Sequence, residues 1–155
     1  ETPEGAMRVL GGAHEVLTRL LDRSDVTLGL LTGNGIEGAR RKLRNAGLDG
    51  YFNRSTSDHD WVPLGGFGWD APTRPELVPV AWQRYRDTTG YDITAEDTVI
   101  IGDTPRDIEC ARLNGVRAVG VTTGPFVADD LTEAGADAVL SGLQDVDAAI
   151  RALLS

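Results

Sequence analysis

The chain has 155 residues, 41% of them hydrophobic and 25% charged, with a formal net charge of −9 at pH 7. That length holds one domain with a single core, the composition is that of an ordinary globular protein, and the negative balance argues against a nucleic-acid surface, since phosphate backbones select positive charge. No apolar run reaches the ~18 to 20 residues of a membrane span, and the opening ETPEGAMRV lacks the basic and then apolar segments of a signal peptide.

Cys110 is the only cysteine, so no internal disulfide can form, which fits a reducing cytoplasm. With the distant His14 and His59 it makes a poor zinc set. Lys42 is the only lysine among fifteen basic residues, a bias we ascribe to genomic composition.

The elements alternate along the chain. Residues 14–23 have helical spacing, with Val16, Leu17, Leu20 and Leu21 on one face, and VTLGLL at 26–31 is a short apolar run of buried-strand type. Ile36, Ala39, Leu43 and Ala46 predict a second helix stopped by Gly47, with Arg41, Lys42 and Arg44 suited to its negative end. Residues 53–73 read as a long loop holding a short strand around residues 66–68. Thr73-Arg74-Pro75-Glu76 has the form of a capping box, but Pro79 removes a hydrogen bond one turn in. The third helix therefore starts near Pro75 with a distorted first turn, or at Pro79, and ends at Gly90. Beyond it come a strand at 98–101, a helix at 105–114 closed by Gly115, and a strand at 116–121. A short helix at 129–134, a strand at 138–140 and a closing helix at 144–154 complete the chain. Strands alternating with helices at this spacing indicate an α/β protein with a parallel sheet covered on both faces.

Ligands of such sheets bind beyond the carboxyl ends of the strands, and two of those ends carry unusual residues. After TVII come Gly102-Asp103-Thr104-Pro105-Arg106-Asp107. Gly102 allows a tight turn, and Asp103 at the tip suits Mg²⁺, which takes one or two protein carboxylates and fills its other positions with water and phosphate. A plain turn-capping role for Asp103 explains the spacing equally well. Thr104 to Asp107 fit Ncap to N3 of a helix with proline at N1, so Asp107 caps, and from the first turn it can also face the crevice. After VTLGLL come Thr32, Gly33, Asn34 and Gly35. The Thr32 hydroxyl and the Gly33 and Asn34 amides could hold a phosphate oxygen at a helix N-terminus, although an ordinary Asn-Gly turn accounts for the same residues. Arg74 is the candidate cation, since a guanidinium binds phosphate through two parallel bonds; taken alone it is a surface residue.

Other motifs fail sooner. Gly66-Phe67-Gly68-Trp69-Asp70-Ala71 matches G-x-G-x-x-A, but Pro72 stands where the helix of a dinucleotide site begins. The sequon Asn53-Arg54-Ser55 has no meaning without secretion, and neither a Walker A nor a G-x-S-x-G motif is present. Trp61, Trp69 and Trp82 are expected to be packing residues rather than a stacking platform.

LGLLTGNGIEGARRKLRNAGLDGYF, GGFGWDAPTRPELVPVA and TVIIGDTPRDIECARLNGVRAVGVTTGPF, in that order, resemble the haloacid dehalogenase-like (HAD) hydrolase superfamily, and its phosphoglycolate-phosphatase-like branch in particular. They cover most of residues 26–126, with agreement to about residue 147. The resemblance implies a three-layer, Rossmann-like parallel core and a Mg²⁺-dependent phosphatase acting on a small phosphorylated metabolite. It further implies that Thr32 binds phosphate, that Arg74 stands where most members have lysine, that Asp103 is the magnesium ligand and that Asp107 is its supporting acid.

One departure concerns the nucleophile. The family's reaction starts from an aspartate in a D-x-D-G-T or similar motif on a first strand near the N-terminus, and no such strand and motif open this chain. We expect a single partial core domain over residues 1–155, lacking the usual central first strand and inactive by itself unless a separate N-terminal segment supplies that motif. The strands ending at Thr32 and Asp103 then pair directly, leave a gap, or accept a strand from elsewhere. The other departure is residues 53–64, NRSTSDHDWVPL, an inserted loop placed at the amino-terminal edge of the sheet, where His59 and Asp60 stand away from the site. The rival expectations are a non-catalytic phosphate- or metal-binding remnant and a metal-independent dehalogenase of the same family.

Overall fold

The computed structural model describes residues 11–57 and 59–155. They fall into two compact units, Leu17–Asp92 and, with residues 11–16, Ile93–Ser155. Helix α1 (Ala13–Leu21) crosses the division, burying Val16 and Leu20 while Leu21 is exposed.

In the first unit β1 is only Leu30–Leu31, followed by α2 (Ile36–Asn45), a 3-10 turn (Asp49–Phe52), β2 (Gly65–Gly66) and α3 (Leu77–Thr89). The strands run parallel, Leu30 opposite Gly65 and Leu31 opposite Gly66. The Leu30 amide also donates to Leu64 O and the Thr32 amide to Gly66 O, so the pairing ends where the site begins. The expected strand at 26–31 is thus shorter than its apolar run, because a ladder extends only as far as its partner. On β2 that partner is bounded by Pro63, which has no N–H to donate.

Helix α3 starts between the two expected positions. Leu77 N bonds to Arg74 O and Val78 N to Pro75 O, i→i−3 bonds that tighten the entry ahead of Pro79. Glu76 Oε2 accepts from Thr73 N at 3.1 Å and from Thr73 Oγ1 at 3.0 Å. Gly90 ends the helix with φ 79°.

Residues 53–64 form a loop clamped at its neck. Asn53 Oδ1 accepts from the amides of Ser55 (3.1 Å) and Val62 (2.9 Å), and Arg54 N donates to Val62 O. Trp61 anchors it: the indole is 8% exposed, donates to Asp49 O at 2.9 Å, and packs with Ala39 and Phe67 against Leu30, Leu43 and Phe52. The loop enters β2 at its amino end, whereas Thr32 and Gly68 follow the carboxyl ends.

The turn after β2 is held by an ion pair. Arg84 on α3 donates to Asp70 Oδ2 at 2.6 Å and Oδ1 at 2.7 Å, and to Gly65 O at 2.9 Å. Asp70 Oδ2 also accepts the Phe67 amide at 2.7 Å, and the guanidinium stands 5.9 Å from the Phe67 ring centroid. Arg84's paired hydrogen bonds hold the Asp70 carboxyl below its ordinary range; its burial opposes them, and the Phe67 amide adds to the lowering.

The second unit reads β3 (Val99–Gly102), α4 (Pro105–Leu113), β4 (Arg117–Val121), α5 (Ala128–Ala134), β5 (Ala138–Leu140) and α6 (Val146–Leu154). Its sheet is parallel in the order β3-β4-β5. Helices α4 and α5 lie against the central strand, which buries Ala118, Val119 and Val121, and Ile108 and Ala111 of α4, Leu131 of α5 and Ala149 of α6 are buried as well. These elements sit within two residues of their expected positions, and the α/β class with parallel pairing is as anticipated. Of the three arrangements open to the strands ending at Thr32 and Asp103, direct pairing does not occur among the described residues: β1 pairs with β2, and β3 with β4.

Two stability outcomes follow from the first unit. Trp61→Ala is expected to cost about 3–5 kcal/mol in urea unfolding, and Val62→Ala, whose side chain is exposed, under about 0.5 kcal/mol. Asp70→Asn is expected to cost about 1–3 kcal/mol at pH 7 by weakening charge-assisted bonds. Because the folded-state pKa of Asp70 is lowered, its contribution is complete above the unfolded value of about 4 and is lost as pH falls through the folded value. The gap between wild type and Asp70→Asn should therefore close in acid below about pH 4; a gap that stays constant to pH 2 contradicts this assignment.

Candidate functional site

Three of the phosphate candidates occupy one turn between β1 and α2. The Thr32 hydroxyl oxygen accepts from the Asn34 amide at 3.1 Å and from Asn34 Nδ2 at 3.1 Å, closing the turn over Gly33. This changes the expected division of labour: the Asn34 amide serves the turn itself, and Thr32, with its oxygen accepting twice, keeps its own hydrogen to donate. Asn34 Oδ1 accepts from Lys42 Nζ at 3.4 Å, one helical face away on α2. Gly35 is the N-cap of α2 and brings no side chain to it, so the helix presents its N-terminal amides beside this turn.

Arg74 comes to the same place. A methyl group built on Gly33 would stand 4.0 Å from Arg74 Nη2. The half-buried Arg74 is held there by the tightened entry to α3, through its own carbonyl bond to Leu77 N and the Thr73–Glu76 contacts on either side. The first unit thus brings Thr32, Gly33, Asn34 and Arg74 together.

The turn after β2 packs on this group. Gly68 N donates to Asn34 O at 2.9 Å, and a Cβ on Gly68 would strike the Gly33 carbonyl. The second glycine of the G-x-G-x-x-A string therefore serves close backbone approach, not a dinucleotide. Reading the sequence missed Asp70 and Arg84, which fix this turn from behind. Their only sequence signal is a pair of opposite charges fourteen residues apart, which carries no periodicity. Trp69 also departs from expectation: whereas Trp61 packs in the core and Trp82 is half-buried, Trp69 is 95% exposed.

In the second unit, Asp103 and Asp107 flank the turn from β3 into α4. Asp107 Oδ2 accepts from Thr104 N at 3.2 Å and from Thr104 Oγ1 at 3.1 Å, while Thr104 Oγ1 accepts from Asp107 N at 3.3 Å. The complete capping box expected from Thr-Pro-Arg-Asp is present. Gly102 has no positive φ, so the tight turn expected of it is not its reason; a Cβ there would strike the Asp107 carboxylate. Asp103 is half-buried, and a methyl group on Gly124 would lie 2.8 Å from its Oδ2. Among the described residues no group of three or more His, Cys, Asp or Glu is placed to hold a metal. A lone carboxylate oxygen donor at a strand tip fits Mg²⁺, which keeps several waters, and does not fit zinc. His59 and Asp60 are exposed on the inserted loop, and Asp58 lies outside the described residues. Cys110 is buried on α4. No helix of the described residues is long and apolar enough to cross a membrane.

Residues 74–146 match the family model described as HAD-hydrolase-like. "Probable phosphatase IndB" of Dickeya dadantii (strain 3937) is 30% identical over 152 residues, covering 98% of this chain and 60% of that protein. A "predicted phosphatase" from Clostridium acetobutylicum superposes with a TM-score of 0.70 at 21% identity, over 90% of this chain and 58% of that one. A HAD family hydrolase from Deinococcus radiodurans R1, crystallised with bound phosphate and sodium, gives 0.66 at 27% identity, over 91% and 58%. The chain spans about three-fifths of the length of each of these relatives. With parallel βα units and both strand-tip motifs in place, the chain is similar to the HAD-like hydrolases, in sequence over residues 74–146 and in fold over most of its length.

Proposed function

We propose that these residues form the phosphate-gripping and metal-binding part of a Mg²⁺-dependent phosphatase, a phosphoric monoester hydrolase acting on a small phosphorylated metabolite in the cytoplasm. The observation that carries this is the Thr32–Asn34 turn at the N-terminus of α2, with the Arg74 guanidinium across Gly33. An anion at a helix N-terminus meets unsatisfied amides and the positive end of the dipole. There the Thr32 hydroxyl hydrogen and the Gly33 amide donate to one phosphate oxygen, and Arg74 binds two more as a fork. The phosphate bound by the Deinococcus radiodurans relative supports the same chemistry.

Asp103 would hold Mg²⁺, which when bound would supply positive charge for phosphate-ester chemistry. Asp107 acts one step back: its carboxylate closes the capping box, and so fixes the turn that carries Asp103. Thr32 and Arg74 stabilise charge on the transferring phosphoryl group, most strongly as it spreads over the oxygens in the transition state.

The 155 residues carry no D-x-D-G-T motif. We assign the nucleophile to a segment outside them: its aspartate oxygen attacks phosphorus, the phosphorus–oxygen ester bond breaks, and the departing alcohol takes a proton from a second acid. Water then hydrolyses the aspartyl phosphate.

The 155-residue chain is expected not to turn over p-nitrophenyl phosphate with Mg²⁺. Joined to a segment bearing the aspartate motif, it should do so, with Asp103→Ala or EDTA lowering kcat by about 10²-fold or more. Turnover by the chain alone that Asp103→Ala abolishes would place the nucleophile inside these residues. Chelator-insensitive turnover of the joined protein would point to the metal-independent dehalogenase class, and no turnover at all to a non-catalytic remnant. Independently, Thr32→Val should weaken binding of inorganic phosphate by about 5- to 10-fold in calorimetry, the loss of one hydrogen bond.

A further inference from the structure

Trp69 has no packing role. Its side chain is 95% exposed, although tryptophan is among the residues that proteins bury most on average, and no described residue accepts a bond from its indole N–H. Its backbone is firmly held. Phe67 to Asp70 form a β-turn closed by Asp70 N to Phe67 O at 2.8 Å, which puts Gly68 and Trp69 at the two central positions. Both ends of the turn are fixed, Phe67 by burial at 2% exposure and Asp70 by its two bonds from Arg84. Gly68 is seated on the Gly33 and Asn34 backbone. A rigid turn thus presents a bare indole.

The indole is aimed at a particular place. A methyl group built on Gly35 would lie 3.3 Å from both Cδ1 and Nε1 of Trp69. Gly35 is the N-cap of α2 and follows directly on the Thr32–Asn34 turn. On the strength of the phosphate site proposed above, we infer that Trp69 is a specificity-determining residue whose indole stacks on a planar ring in the organic part of the substrate. The substrate class is a phosphate monoester of an aryl or heterocyclic-base compound, its phosphate held at Thr32 and Arg74 and its ring lying against Trp69. An aromatic face is sequence- and substituent-tolerant, since every planar ring offers a π surface, and it adds affinity that a flexible polyol phosphate cannot draw on.

The test is calorimetric titration of the 155-residue chain with inorganic phosphate, glycerol 1-phosphate, phenyl phosphate and adenosine monophosphate. Phenyl phosphate and adenosine monophosphate should bind about tenfold tighter than glycerol 1-phosphate. Trp69→Ala should bring that ratio close to one, and Trp69→Phe should keep most of it. A ratio near one in the wild type, or a tenfold ratio that survives in Trp69→Ala, overturns the inference. So does a change of oligomeric state in Trp69→Ala with the ratio intact, which makes the indole a contact between proteins. Failure of inorganic phosphate to bind at all, with Thr32→Val indistinguishable from wild type, removes the phosphate site and this inference together, whereas phosphate binding without ring preference removes this inference alone.

Discussion

The amide of Gly68 donates to the carbonyl of Asn34, and the two backbones lie so close that residue 68 can carry no Cβ. Most of the first unit's candidate site depends on this contact. The β1–β2 ladder is two residues long and too short to orient the loops that leave it. Because the strands are parallel, both loops emerge at the same end, and the Gly68–Asn34 bond locks one to the other. Behind it, Arg84 ties Asp70 and the Gly65 carbonyl to α3, so the loop and the start of β2 are bonded to the same helix. Arg74, at the entry to that same helix, takes its place opposite Gly33 from the same framework.

What sequence could supply was whatever depends on near neighbours. The Thr-Pro-Arg-Asp spacing fixes a capping box because each partner is three residues from the other, and the box is present to the atom. Alternating apolar runs placed β4 and β5 closely, since each is covered by its own flanking helices. The run at 26–31 misled because a strand is a relation between two segments, and β2, between Pro63 and the Phe67 turn, offers only two residues to pair with. Gly102 misled in a different way: glycine is needed for freedom of φ or for lack of a side chain, and sequence does not say which. Here the Asp107 carboxylate occupies the space. Trp69 and Asp70 lay in a string read for its glycines, and whether a tryptophan faces core or water is decided by contacts far along the chain.

The two aspartates after β3 show how one turn can separate scaffold from function. Asp107 spends its carboxylate on Thr104, satisfying amides that a helix start otherwise leaves open. Asp103, four residues earlier, has no such local bond and stands beside Gly124, where a side chain would crowd its Oδ2. A carboxylate kept out of the capping network is the one with oxygens left for a hard cation. Just before Asp103, β3 stands at one end of the strand order, with Ile100 buried and Val99 and Ile101 exposed.

Charge is divided between the units in the same sense as the proposed chemistry. Residues 17–92 carry ten basic and ten acidic side chains, whereas residues 93–155 carry four and eleven. The net charge of −9 is therefore a property of the segment with Asp103 and of the N-terminal residues, not of the segment with the phosphate turn. At physiological ionic strength charges act over about 8 Å, so an anion at Thr32 is governed by Arg74, Lys42 and the α2 amides rather than by the chain's overall charge. An overall charge that argues against nucleic acid is thus compatible with a phosphate monoester, because the segment that carries the phosphate turn is itself neutral.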